Sequence, residues 1–193
     1  MKVFGLTGGI GMGKSTAADL LRPRVAIVDT DALARQVVEP GQPALAEVRA
    51  LFGPEILAED GRLRREELAR RVFADESARK QLEAILHPRI RTLWQAQIES
   101  WSAAGKKVAV VVIPLLFETN AAAHFDATVC VACSAATQRE RLRARGWTAE
   151  QIEQRLQAQW PVEKKLSLVD FVVWTEGSLD VHAEQLARII PLA

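Results

Sequence analysis

The chain has 193 residues, with 25 Lys and Arg against 24 Asp and Glu for a net charge of +1, and 49% hydrophobic residues. A chain of this length buries about 70% of its unfolded surface around one core, at most with a grafted subdomain, and needs no disulfide or structural metal to fold. The balanced charge excludes a dedicated nucleic-acid binder, and the longest apolar run, Val108 to Phe117 with Pro114 in it, falls far short of the roughly 20 residues that span a bilayer.

Lys2 to Leu6 reads as a short buried strand, Gly8 to Gly13 as a glycine-rich turn, and Lys14 to Leu21 as a helix stopped by Pro23. Val25 to Asp29 is a second apolar, β-branched strand. From Asp31 to about Ala104 the apolar spacing becomes helical, with turn chemistry at Pro40-Gly41, Gly53-Pro54, Asp60-Gly61 and His87-Pro88. Strands return at Lys107 to Ile113 and Ala127 to Val131, helices at Ala135 to Arg145 and Ala149 to Gln159, a last strand at Phe171 to Trp174 and a closing helix at Leu179 to Ile190. Continuous apolar strands separated by helices predict an α/β fold: a parallel five-stranded sheet covered on both faces, with a helical insertion after the second strand and a second helical excursion after the fourth.

Gly8-Gly9-Ile10-Gly11-Met12-Gly13-Lys14-Ser15-Thr16 fits GxxxxGK[ST] between a strand and a helix, the context the motif requires. Its glycines let backbone N–H groups wrap a phosphate at the positive end of a helix. Lys14 is expected to reach the β and γ phosphates and Ser15 to ligate Mg²⁺. A plain connecting turn explains the glycines but not the Lys-Ser-Thr tail. With no Asn-Lys-x-Asp string to read guanine, ATP is the expected nucleotide.

The second strand ends in Asp29-Thr30-Asp31, two carboxylates at the carboxyl edge of the sheet, where open α/β sheets bind ligands. They share one direction if the strand continues. One is suited to orient or deprotonate a hydroxyl and the other to help hold water around Mg²⁺; either also reads as the N-cap of the next helix. Gln138, Arg141 and Arg145 share one helical face, an arm suited to close over a nucleotide, although a solvated face is the alternative reading. Arg62, Arg64, Arg65, Arg70, Arg71 and Lys80 make the insertion locally basic, which suits an acidic acceptor. Cys130 and Cys133 read as core thiols of a reducing compartment rather than a zinc half-site, His124 and His182 read as surface, and a cytoplasmic location is the default for a chain that opens without a secretory pattern.

Taken together, LTGGIGMGKST (6 to 16), VDTDALARQVVEPG (28 to 41), GRLRREELARRVF (61 to 73), LHP (86 to 88), PLLFE (114 to 118) and Thr137-Gln138 through Arg145 closely resemble the dephospho-CoA kinase family over nearly the whole chain. The resemblance implies transfer of the γ-phosphoryl of ATP to the ribose 3′-hydroxyl of dephospho-CoA with Mg²⁺. It implies ATP binding by Gly8, Gly11, Met12, Gly13, Lys14, Ser15, Thr16 and Arg145; the motif and the strand end already point Ser15 and Asp29 toward the metal. Asp31 is implied as base or hydroxyl-orienting group, with Lys14 and Arg141 on the transferring phosphoryl. Residues 31 to 105 resemble the CoA-binding helical domain, in which Arg65, Arg71, His87 and Pro88 match family positions. Residues 137 to 167 resemble the lid, leaving 1–30, 106–136 and 168–193 as the nucleotide-binding core. The expected partners are small molecules, with no nucleic acid or membrane, in a monomer or weak homo-oligomer. Two departures stand out: Thr175 lies near a usual Asn, leaving the adenine edge to its hydroxyl or to backbone groups, and Met12 replaces a smaller residue. Another small-molecule P-loop kinase, or a nucleotide switch without an acceptor, are the rival readings.

Overall fold

The computed structural model describes residues 1–191. Five strands, β1 (Lys2–Gly8), β2 (Ala26–Asp29), β3 (Val108–Val112), β4 (Ala127–Ala132) and β5 (Phe171–Trp174), form one sheet of order β2-β3-β1-β4-β5. Every pairing is parallel, so the expected five-stranded parallel sheet is present. β1 is central, with Leu6 opposite Val112 on one side and Val129 on the other. Its burial from Val3 onward explains why it reads as an uninterrupted apolar run.

The helices are α1 (Lys14–Leu21), α2 (Thr30–Gln36), α3 (Pro43–Phe52), α4 (Arg65–Ala74), α5 (Glu76–Ala103), α6 (Ala135–Ala144), α7 (Ala149–Gln157), α8 (Val162–Leu166) and α9 (Leu179–Ile189). One core cluster joins Leu6, Val110, Val129 and Val173 of the sheet to Ala17, Ala18 and Leu21 of α1 and Leu186 and Ile190 at the end of α9. The chain separates into two compact units, one of residues 1–29 and 97–193, the other of residues 30–96. The second unit has its own apolar interior, where Val48, Ile56, Leu68 and Val72 pack against Phe52, Leu82 and Ile85.

Three expectations are corrected. His87-Pro88 does not end a helix, because α5 runs through Pro88. An interior proline costs about 3 kcal/mol, but Ile85 and Leu86 before it and Ile90 and Leu93 after it all pack on Val37, Val38 and Leu45. At about 1.5–3 kcal/mol for each such side chain fully buried, that shared stripe outweighs the break even when burial is partial. The second strand does not continue to Asp31: it ends at Asp29, and Asp31 lies in the first turn of α2, so the two carboxylates do not alternate along one strand. His182 is not a surface residue but 4% exposed. The short helix α8 was not visible as a separate periodic segment; it is held by Lys165, discussed below.

Candidate active site: the phosphate loop and the pocket beside it

β1 delivers Gly8 to the carboxyl edge of the sheet. Its φ is +147°, and a Cβ there would lie 2.4 Å from the Val131 carbonyl oxygen on β4, so the strand can turn into the loop only at a residue without a side chain. At the far end Gly13, with φ +96° and ψ 15°, is the N-cap of α1 and supplies no side-chain cap. The first turn of α1 thus presents backbone N–H groups and the positive end of the helix dipole without a capping oxygen in front of them. Lys14 folds over this cradle, Nζ donating to the carbonyl oxygens of Gly8 at 2.7 Å and Gly9 at 2.9 Å. An ammonium, an uncapped helix start and positive-φ backbone together make an anion site of the phosphate-binding type.

The loop is fixed from outside. Gln138, buried on α6, donates from Nε2 to the Ile10 carbonyl at 2.7 Å, and the Ile10 N–H donates to Gln159 Oε1 at 3.1 Å. Met12 is 1% exposed and packs with Ala132, Cys133, Val162 and Leu166. Its side chain therefore anchors the loop in the core, while its carbonyl accepts a hydrogen bond from the Thr175 hydroxyl at 3.1 Å. The larger residue at this position serves packing.

An open pocket of about 330 Å³ continues from the loop. Gly11, Gly13 and Thr16 form its loop side, Arg141 and Arg145 its α6 side, and Thr175 and His182 the side formed by β5 and α9. Arg141 and Arg145 thus meet in one pocket with the loop, but Arg141 is already bonded, through Nη1 to Thr175 Oγ1 and Nη2 to Thr175 O. Every polar group of Thr175 is engaged, since its N–H also donates to Ala132 O at 2.8 Å. The Thr175 hydroxyl, one of the two candidates for reading a base edge, here links Arg141 to the Met12 carbonyl.

Two carboxylates that sequence reasoning missed hold the surroundings together. Glu176 Oε1 accepts from the Ser134 N–H at 2.9 Å and from its hydroxyl at 2.5 Å, at the N-terminus of α6, and Oε2 accepts from Trp174 Nε1. Hydrogen bonds from the Ser134 and Thr137 hydroxyls and from the Ser134 N–H hold its carboxyl at about 2. Glu118, last residue of the PLLFE string, pairs with Lys165 at 2.7 Å and accepts from the Trp160 N–H at 3.0 Å. Lys165 is fully buried and also donates to Pro114 O at 2.7 Å, so the string after β3 and α8 are joined by an internal ion pair. A charge pair at contact separation was not readable from Lys164-Lys165, which resembles any solvated helix end.

The remaining candidates distribute as follows. Asp29 is the last residue of β2, opposite Val112, and Asp31 belongs to the unit of residues 30–96. In that unit Arg65 opens α4, donates to Arg35 O at 3.3 Å, and lines an open pocket of about 540 Å³ with Arg64, Glu66, Glu67 and Arg70. Arg71 does not line that pocket: it holds Glu67 Oε1 at 2.8 Å and Phe52 O at 2.7 Å, bracing α4 against the end of α3. His87 and exposed Pro88 sit on α5, and burial pushes the His87 imidazole below its ordinary range. Ser15 and Asp29 offer the oxygen donors that Mg²⁺ prefers. Among the described residues no group of three or more His, Cys, Asp and Glu is placed to hold a metal ion. No helix among those residues is long and apolar enough to cross a membrane. Cys130 and Cys133 are buried free thiols, and burial raises the Cys130 thiol to about 11.

Residues 2–180 match the family model for dephospho-CoA kinase. The chain is 47% identical to a dephospho-CoA kinase of Anaeromyxobacter dehalogenans over 98% of its length and 91% of that protein. The crystal structure of TT1252 from Thermus thermophilus superposes with a TM-score of 0.82 at 36% identity, over 97% of this chain and 94% of that one. Dephospho-CoA kinase from Campylobacter jejuni shares the fold, with a TM-score of 0.71 at 23% identity over 98% and 96% of the two chains.

Proposed function

The chain belongs to the dephospho-CoA kinase family, and from that membership we propose how its residues carry the reaction. It is a kinase that phosphorylates the ribose 3′-hydroxyl of dephospho-CoA with ATP, giving coenzyme A and ADP, the final step of coenzyme A biosynthesis. The loop Gly8 to Gly13 with Ser15 and Thr16 wraps the ATP triphosphate, Lys14 leaves the Gly8 and Gly9 carbonyls for the β and γ phosphates, and the base lies in the pocket bounded by Arg141, Arg145, Thr175 and His182. The observation that carries this reading is the uncapped start of α1 at left-handed Gly13, with the Lys14 ammonium bent back over the loop.

Ser15 and Asp29 are the protein's oxygens for Mg²⁺, which when bound neutralises phosphate charge developing in the transfer. Asp31 aligns the acceptor hydroxyl and takes its proton, while Lys14 and Arg141 spread charge on the transferring phosphoryl. Residues 31 to 105 bind the CoA part of the acceptor, Arg65, Arg71, His87 and Pro88 among them, and residues 137 to 167 act as lid. Balanced charge and reduced cysteines support a cytoplasmic setting with small-molecule partners.

The test is product identification: incubation with ATP, Mg²⁺ and dephospho-CoA is expected to yield coenzyme A carrying its new phosphate on the ribose 3′ oxygen, and Lys14→Ala is expected to yield none. A product phosphorylated elsewhere, or full activity in Lys14→Ala, contradicts the assignment.

A further inference from the structure

Two buried side-chain polar atoms have no hydrogen-bond partner among the described residues, Glu118 Oε2 and His182 Nε2. Glu118 is already committed through its other oxygen to Lys165 and Trp160. His182 differs in that it lines the pocket beside the phosphate loop. It is 4% exposed, in the first half of α9, where its backbone N–H makes the helix bond to Ser178 O at 3.2 Å. Leaving a buried ring nitrogen unpaired is unfavourable, and such an atom at the edge of a pocket is a natural partner for a bound group.

Two neighbouring polar residues are already engaged. Thr175 has its hydroxyl, N–H and carbonyl all engaged, and Ser178 Oγ accepts the α9 cap bond from Val181 N–H. Burial, and after it the Arg141 guanidinium, lowers the imidazole below its ordinary range, which favours the neutral ring, and a neutral imidazole keeps one nitrogen as an acceptor. A purine edge presents hydrogen-bonding groups in one plane, and the exocyclic amino group of adenine is the donor that matches this acceptor.

We propose that His182 is a specificity-determining residue, its Nε2 accepting a hydrogen bond from the 6-amino group of the ATP adenine. The inference rests on the assignment of this pocket to the nucleotide base. It places base reading on the first turns of α9, in the pocket that Arg141 and Thr175 also line. Guanine presents a carbonyl oxygen at the same point, so the acceptor of His182 meets another acceptor and the pocket favours ATP.

The experiment measures equilibrium binding of ATP, of purine riboside triphosphate (which lacks the 6-amino group) and of tripolyphosphate to the wild type and to His182→Leu, with thermal melting as the folding control. The wild type is expected to prefer ATP over the deamino analogue about five- to tenfold, the range of one neutral hydrogen bond. His182→Leu is expected to abolish that preference by weakening ATP alone, leaving the analogue and tripolyphosphate unchanged. An undiminished preference in folded His182→Leu overturns the role of His182 while leaving the base pocket standing. ATP binding no tighter than tripolyphosphate in the wild type overturns the base pocket itself. Should the variant not fold, ¹⁵N NMR of histidine in the wild type decides: the His182 Nε2 resonance is expected to move on adding ATP and not on adding tripolyphosphate, and an unmoved resonance overturns the proposal.

Discussion

Arg141 grips Thr175 with both ends of its guanidinium, Nη1 donating to the hydroxyl at 2.9 Å and Nη2 to the carbonyl oxygen at 2.7 Å. Thr175 Oγ1 in turn donates to the Met12 carbonyl of the phosphate loop. The arginine proposed to act on the transferring phosphoryl therefore fixes the pocket wall through one planar fork. Arg141→Ala is expected to lower kcat/KM for ATP at least about a hundredfold, the cost of removing one preorganised donor from a transition state. Arg141→Lys is expected to recover little, because an ammonium cannot span two oxygens. Steady-state kinetics checks this, and near-complete rescue by Lys would show that charge alone matters.

Asp31 stands in the first turn of α2, two residues beyond the end of β2. Asp31→Asn keeps the shape and removes the charge. We expect kcat to fall about 10²- to 10⁴-fold, the usual worth of a positioned acid or base, with ATP affinity changed less than about threefold. Pre-steady-state measurement of the chemical step separates this from slow product release.

Lys165 and Glu118 form a pair in which the lysine is wholly buried. Lys165→Met leaves the Glu118 carboxylate without its counter-charge and is expected to cost about 3–5 kcal/mol in denaturant unfolding. Adding Glu118→Gln is expected to recover part of that loss, since a neutral amide no longer needs the ammonium. Equal stability of the single and double variants would show no coupling between the two groups.

Glu176 gives a pH signature. Its carboxyl is held near 2 in the folded chain, against an ordinary value near 4.5, so the folded state binds the proton more weakly than the unfolded state. The stabilisation is complete above the unfolded value and is lost as pH falls from about 4.5 towards 2. The melting-temperature advantage of wild type over Glu176→Gln is therefore expected to be full at pH 7 and to shrink through that window. An advantage independent of pH would assign the effect to packing.

Much of the fold is written locally. β3 reads Val-Ala-Val-Val-Val because both its faces are covered, and the loop is readable because its glycines, lysine and hydroxyl residues form one contiguous string in which Gly8, Gly11 and Gly13 take positive φ. What escaped depends on partners distant in the chain. Pro88 reads as a helix end until Val37, Val38 and Leu45 are seen to hold Ile85 and Ile90 on one stripe. Lys165 reads as solvated until Pro114 and Glu118 meet it, 51 and 47 positions away. Glu176 gains its low carboxyl from Ser134, and His182 its burial from the packing of α9, neither of which has a local signature.

The most direct measurement is Mg²⁺-dependent ADP release from ATP with dephospho-CoA, against AMP, adenosine and no acceptor, in the wild type and in Lys14→Ala. Strong stimulation by dephospho-CoA alone, absent from Lys14→Ala, is the predicted result. ATP-binding protein whose ADP release is indifferent to dephospho-CoA, or is stimulated equally by adenosine, would contradict it.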